Sequence, residues 1–304
     1  MTRAVFVFVD GIGLGASSAS NPFVTTPLPG FARLAGEHTW TNETPEIRQP
    51  DHVFRPIDAT LGMEGLPQSG TGQAALLTGL NAAQIHGRHF GPYPPTTVRP
   101  NVEASSIFAQ LVETGCAADQ LAFANAYPDR FFRFVEARGR WTTTTLAAHS
   151  AGVRLRTAAD LKAGLAIPAD LTGVGWQRVI DRTFVPFEEA ESARRVRQLV
   201  DAHRLTLVEY YLTDKAGHSQ DPERAASVLA SLDRFLSHLI DALDRSRHLL
   251  VLTSDHGNLE DLSVKTHTRN PVPFVALGPN ADRFGDASSL LDITPQLVSV
   301  LTQD

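Results

Sequence analysis

Three apolar runs, each ending in a carboxylate, constrain this chain more than any other feature. Residues 5–9 (Val-Phe-Val-Phe-Val) lead straight into Asp10-Gly11, residues 205–212 into Thr213-Asp214, and residues 249–253 into Ser254-Asp255-His256-Gly257. Continuous β-branched and aromatic runs without polar alternation fit central strands of a parallel sheet buried on both faces. Ligands of open α/β sheets collect beyond the carboxyl ends of such strands, so the three acidic ends predict one site at one edge of one sheet.

The stretches between the strands read as helices, at residues 72–80, 104–114, 187–203 and 223–243. In the last of these Val228, Leu229, Leu232, Phe235, Leu236, Leu239 and Ile240 recur at helical spacing, which predicts a face packed on the sheet. Alternating strand and helix point to an α/β fold, a doubly wound and mostly parallel sheet with helices on both faces. Between residues 127 and 185 the pattern changes: Arg, Thr and Gly become frequent, Thr142 to Thr145 are consecutive, and no strand ends in a carboxylate. This segment is expected to be a small inserted cap, leaving residues 1–126 and 186–304 as the core. A chain of 304 residues has room for both.

Composition narrows the function by exclusion. The formal charge of −6 argues against nucleic acid or an anionic membrane as the main partner, since both need a concentrated basic face. Cys116 is the single cysteine, which rules out an intramolecular disulfide framework and a cysteine-based zinc site, and makes a reducing cytoplasm the simplest expected compartment. The apolar start of the chain stops at Asp10-Gly11 without a small-residue cleavage site, so it reads as a buried strand rather than a leader. No apolar run approaches the roughly 20 residues of a membrane span.

The polar residues at the strand ends carry the chemistry. Asp214 and His218 stand four residues apart, so on a tight loop or a first helical turn both face one ion. Asp255-His256 adds an adjacent pair, and His267 follows in Lys265-Thr266-His267-Thr268-Arg269-Asn270-Pro271-Val272-Pro273. Any one of these serves equally well as a cap, a turn residue or a solvated side chain; their joint appearance after buried strands is what predicts a metal centre. Mixed carboxylate and imidazole donors suit manganese, zinc or iron better than calcium or a largely aqueous magnesium site. Ser69 lies in Gly65-Leu66-Pro67-Gln68-Ser69-Gly70-Thr71-Gly72-Gln73, a glycine-flanked loop entering a helix, where free backbone N–H groups favour an anion. A serine hydroxyl needs a base or a metal to become a nucleophile near neutral pH, and a pair of cations would supply that activation.

These motifs, in this order along the chain, resemble the alkaline phosphatase superfamily, and within it the cofactor-independent phosphoglycerate mutases and phosphopentomutases. Leu291-Asp292-Ile293-Thr294-Pro295 also looks like that family's C-terminal helix start. The resemblance implies an alkaline-phosphatase-like fold and two divalent ions, typically Mn2+ or Zn2+, with Mg2+ a further candidate. It implies that Asp10, Ser69, Asp255 and His256 surround one ion while Asp214, His218 and His267 hold the other. It also implies a phosphoserine at Ser69, with Thr71 in the same loop as the competing nucleophile, and a small phosphorylated metabolite as partner. Two departures separate the chain from the mutases: Gln73 stands where they usually carry histidine, and there is room only for a short cap in place of their large Arg-rich insertion.

Hydrolysis or phosphoryl transfer through Ser69 is therefore the leading expectation. A mutase-like isomerase and a phosphodiesterase are the alternatives, with a non-catalytic binding protein behind them. The loop lacks the Pro- and Arg-containing maturation motif of sulfatases. Tyr127, Arg130, Arg133, Arg138 and Arg140 in the cap are candidate anion clamps, because guanidinium groups bind phosphate and carboxylate in bidentate fashion. His86, Arg88 and His89, after the Ser69 helix, and Lys215, beside Asp214, are further substrate-binding candidates.

Overall fold

The acidic-ended runs become three adjacent strands at the centre of a sheet. In the computed structural model, which describes residues 2–303, the strands in chain order are β1 (Arg3–Val9), β2 (Ile47–Gln49), β3 (His52–Ile57), β4 (Leu121–Phe123), β5 (Ala126–Tyr127), β6 (Arg156–Thr157), β7 (Leu205–Tyr210), β8 (His248–Thr253) and β9 (Val272–Leu277). Seven of them form one sheet in the order β2-β3-β9-β8-β1-β7-β4, and β5 pairs with β6 separately. β8, β1, β7 and β4 pair parallel to one another, while β9 runs antiparallel to β8 and β3, and β2 antiparallel to β3. Five of the seven strands thus point the same way, and only β9 and β2 are reversed.

Side chains of β1 alternate between two apolar layers, which is why its sequence shows no polar alternation. Ala4, Phe6 and Phe8 pack with Leu76, Phe108, Leu146 and Phe274 on one face, and Val5, Val7 and Val9 with Val196, Leu232 and Leu236 on the other. Helices Ser69–Thr78, Thr143–Ser150 and Ile293–Thr302 cover the first face, and Glu189–Ala202 and Pro222–Ala242 the second. Each large apolar side chain sealed this way contributes roughly 1.5–3 kcal/mol of burial free energy, so the sheet edge that carries the site rests on a rigid base.

Several boundaries differ from the sequence reading for local reasons. The predicted helix 104–114 is two helices, Arg99–Ser105 and Ile107–Glu113, because Ser106 takes an extended conformation and caps the second with its hydroxyl. The predicted strand 205–212 ends at Tyr210, and Asp214 sits in the first turn of helix Leu212–Ser219. The helix expected from residue 72 begins at Ser69, which places Ser69 among its free N–H groups.

Leu161, Ala166, Trp176 and Phe184 of residues 127–185 form a small core of their own with the adjoining Ala126. Leu146, Ala147 and Ala148 of helix Thr143–Ser150 join the main core instead. No helix among the described residues is long and apolar enough to cross a membrane.

Candidate metal centre

Parallel strands deliver their following residues to one edge, and the reversed β9 starts at that same edge. Asp10 follows β1, Asp255 and His256 follow β8, Asp214 comes one helical turn after β7, and His267 precedes β9. Gly11, with φ +73°, lets the segments after β1 and β7 meet: a Cβ at that position would lie 2.8 Å from the Asp214 Cβ and 2.9 Å from its Oδ1. Gly72 serves the same end, since a Cβ there would sit 2.7 Å from the Asp255 carbonyl oxygen.

Two donor groups result, and His256 belongs to both. Asp10, Asp255 and His256 offer atoms within 4.8 Å of one another, as do Asp214, His256 and His267. His256 Nε2 lies 3.4 Å from Asp10 Oδ1 and 3.5 Å from Asp255 Oδ2, and Ser69 Oγ approaches the same nitrogen to 3.0 Å. In the second group His267 Nε2 lies 3.5 Å from Asp214 Oδ1 and 3.2 Å from His218 Nε2, while His218 Nε2 is 3.4 Å from Asp214 Oδ2. The far nitrogens are fixed from behind, His267 Nδ1 by the Pro67 carbonyl at 2.7 Å and His218 Nδ1 by that of Lys265 at 2.9 Å. Holding one ring nitrogen on a carbonyl aims the other at the site.

The charge balance within this cluster calls for a cation. Asp10 Oδ1 and Asp255 Oδ2 are buried without a hydrogen-bond partner among the described residues. Burial, then the Asp214 charge, pushes the Asp255 carboxyl up to about 7. Burial, then Asp255 and Asp214, holds Asp10 well above the usual carboxylate range. Burial, then the neighbouring His267, pushes His256 down to about 3, which keeps the imidazole neutral and its nitrogen free to bind an ion. Burial opposes ionisation of Asp214, but hydrogen bonds from His267 and Asn258 and the nearby imidazoles outweigh it and bring the carboxyl down to about 2. Unpaired buried carboxylate oxygens beside neutral imidazoles form a donor set that fits divalent transition ions.

A stability test follows from these shifts. The folded-state pKa of Asp255 lies above its unfolded value, so the metal-free fold binds the extra proton, and its stability from this group falls as pH rises from about 4 to about 7. His256, held neutral, has the opposite slope, so the comparison is made with Asp255→Asn, which keeps it. Relative to that variant, the metal-free protein is expected to lose a few kcal/mol across the window in urea denaturation, and manganese at about pH 7.5 should restore it. Parallel pH profiles for the two proteins would contradict the assignment.

Ser69 and Thr71 part company in space. The Thr71 hydroxyl is fully buried and bound to backbone, accepting from Phe90 N–H at 3.1 Å with the Gln68 and Phe90 carbonyls at 3.2 and 3.4 Å. Ser69 Oγ faces the donor cluster and borders a cleft lined by Gln68, Pro92, Asp214, His218 and His267. Gln73 Nε2 donates to Asp10 Oδ2 at 3.2 Å, and so orients that carboxylate.

Residues 181–304 match the family model described as Metalloenzyme superfamily. A 2,3-bisphosphoglycerate-independent phosphoglycerate mutase from Halobacterium salinarum is 37% identical over 106 residues, which span 32% of this chain and 21% of the relative. The matched segment is thus about a fifth of that relative's length. Among solved structures, a Pyrococcus horikoshii protein superposes with a TM-score of 0.57 at 13% identity over 100% of this chain and 97% of its own, and alkaline phosphatase from the Antarctic bacterium TAB5 with 0.55 at 10% identity over 99% and 97%. The fold is alkaline-phosphatase-like, and residues 181–304 carry the match to the metalloenzyme superfamily. The chain resembles the cofactor-independent phosphoglycerate mutases, as its motifs imply.

The loops of the centre are tied together by a residue the sequence reading passed over. The carboxylate of Glu260, 1% exposed, accepts from Gly13 N–H at 2.9 Å, Asn258 N–H at 2.7 Å, Asn270 Nδ2 at 3.0 Å and the Thr268 hydroxyl. Asn258 in turn donates to Asp214 Oδ1 at 2.6 Å. One side chain thus fixes the loops after β1 and β8 and the segment entering β9; the only signal in the sequence was its place four residues after His256. Glu260→Ala is expected to cost about 3 kcal/mol by leaving buried donors unpaired, and to weaken metal binding, with Glu260→Gln recovering part of both. Unchanged urea midpoint and metal affinity in the alanine variant would contradict this role.

The substrate-binding candidates divide into three groups. Tyr127, Arg130, Arg140 and Lys215 line a large cavity beside the centre, whereas Arg133 and Arg138 are exposed and outside its lining. His86 pairs with the Thr97 hydroxyl at 2.9 Å, Arg88 is exposed, and His89 is half-buried near Thr60 and Met63, with its pKa lowered mainly by burial. None of these three lines the Ser69 cleft.

Proposed function

We propose that the chain catalyses metal-dependent phosphoryl transfer on a small phosphorylated metabolite, with Ser69 as the covalent carrier. The observation that carries this reading is Ser69 Oγ at 3.0 Å from the Nε2 of His256, the residue common to both donor groups, at the first turn of a ten-residue helix. Divalent ions, Mn2+ or Zn2+ by donor chemistry, held by Asp10, Asp255 and His256 and by Asp214, His218 and His267, would supply Lewis acidity that lowers the serine pKa and offsets phosphoryl charge.

The chain's own groups perform the remaining tasks. Ser69 Oγ gives its proton to solvent and forms a bond to phosphorus as the P–O bond to the substrate alcohol breaks, and the departing alkoxide takes a proton from water, so no net proton is gained or lost. The free N–H groups at the start of helix Ser69–Thr78 favour the anionic phosphoryl group. Gln73, Asn258 and the Pro67 carbonyl hold Asp10, Asp214 and His267 in orientation throughout. A second hydroxyl of the substrate, or water, then takes the phosphoryl group from Ser69.

The names of the sequence relatives favour the isomerase form over hydrolysis, because the matched relatives bear the name phosphoglycerate mutase. A substrate panel with manganese, scored for isomer formation and for free phosphate, separates the two. Isomer without phosphate release supports the mutase form and stoichiometric phosphate supports hydrolysis; turnover of diesters in preference to monoesters would overturn the proposal.

A further inference from the structure

The cavity beside the centre has a volume of about 970 Å3, near the top of the roughly 300–1,000 Å3 range of small-molecule sites. Tyr93 and Lys215 stand on its wall and directly follow Pro92 and Asp214, which line the Ser69 cleft, so the two spaces adjoin. Five cationic side chains line it, from Arg130, Arg140, Arg178, Lys215 and Arg224, and none is ion-paired with a carboxylate among the described residues.

The two acids in the wall are already engaged. Asp170 accepts from Gly173 and Gly175 N–H groups at 2.8 and 2.5 Å, and Glu209 from the Tyr127 hydroxyl at 3.0 Å and the Thr144 hydroxyl at 2.7 Å. Aromatic surface lies among the cations. The Tyr127 and Phe131 rings lie 4.3 Å apart, tilted by 35°, Trp176 backs the wall, and Lys215 Nζ already lies 4.4 Å over the Tyr211 ring.

Unpaired guanidinium groups around aromatic faces recognise a flat, multiply charged anion. Resting on the phosphoryl-transfer reading, we infer that the substrate is a phosphomonoester whose organic part is ring-bearing, itself anionic and of nucleotide size, seated in this cavity while its reacting phosphate reaches Ser69. A three-carbon phosphate would leave most of the cavity and most of its cations without a partner. Specificity resides in the segment 127–185, which contributes Arg130, Arg140 and Arg178, together with Lys215 and Arg224 from the core.

The test is equilibrium binding by calorimetry on the full-length Ser69→Ala protein with manganese, which avoids turnover. The probes are adenosine 3′,5′-bisphosphate, 3-phosphoglycerate and dodecyl phosphate. The bisphosphate should bind at least about tenfold tighter than either of the others, and the double substitution Arg140→Ala with Arg178→Ala, both exposed positions, should remove most of that advantage. Equal affinities, tighter binding of 3-phosphoglycerate or of dodecyl phosphate, or an advantage that survives the double substitution would each overturn the inference. Turnover of the phosphomonoester panel by the wild-type protein, scored for isomer and for free phosphate, is measured alongside. If it persists, only this assignment falls; if it is absent, the phosphoryl-transfer reading falls as well.

Discussion

Replacing Ser69 by alanine is expected to reduce phosphomonoester turnover by roughly a thousandfold or more while the protein still binds divalent ions. The two effects separate because Ser69 Oγ approaches the donor cluster at one atom, His256 Nε2, whereas Asp10, Asp214, Asp255, His256 and His267 meet one another without it. Loss of the hydroxyl removes the attacking atom and leaves those donors in place. The fold tolerates the change, since Ser69 opens its helix without capping it; the cap position is Gln68. Thr71→Ala provides the contrast. Its hydroxyl is spent on the Phe90 and Gln68 backbone, so it should cost stability more than chemistry. Turnover unchanged in Ser69→Ala and lost in Thr71→Ala would transfer the carrier role to Thr71.

A second large effect is expected at His256. Because His256 belongs to both donor groups, His256→Ala should lower metal content from about two ions per chain to below one and cut turnover by roughly a thousandfold or more. His218→Ala should be milder, with weaker binding of one ion, on the order of tenfold, because that side chain is 41% exposed and touches only the Asp214 and His267 side of the cluster. Metal analysis after dialysis at limiting manganese reads both variants. Equal metal loss in the two would show that the sites do not share His256.

Much of this layout could be read from the chain because the physics was local. A strand buried on both faces has to be apolar throughout, so residues 5–9, 205–210 and 249–253 stood out, and the carboxylates after them marked one sheet edge. Other features depend on tertiary contact and left no such pattern. Asp214 and His218 were expected on a tight loop or a first helical turn; the pattern did not choose between them, and the chain takes the helix, which starts at Leu212. The sharing of His256 between two donor groups follows from loop packing around Gly11 and Gly72. Glu260 was invisible as a tie because the packing that joins its partners, Gly13 after β1 with Asn258, Thr268 and Asn270 between β8 and β9, leaves no periodic pattern. The Arg-rich segment showed its charge but not its arrangement. Arg130 and Arg140 reach the cavity while Arg133 and Arg138 are exposed outside its lining, and Arg178 and Arg224, which gave no motif signal, complete the wall.

The most direct test of the central claim is to trap the covalent carrier. The manganese-loaded protein is mixed with a phosphorus-labelled monoester, quenched in acid within the first turnovers, digested and mapped by mass spectrometry. The account predicts label on Ser69, absent in Ser69→Ala and absent after metal removal. Phosphate on Thr71, or turnover with no acid-stable label on any residue, would contradict it.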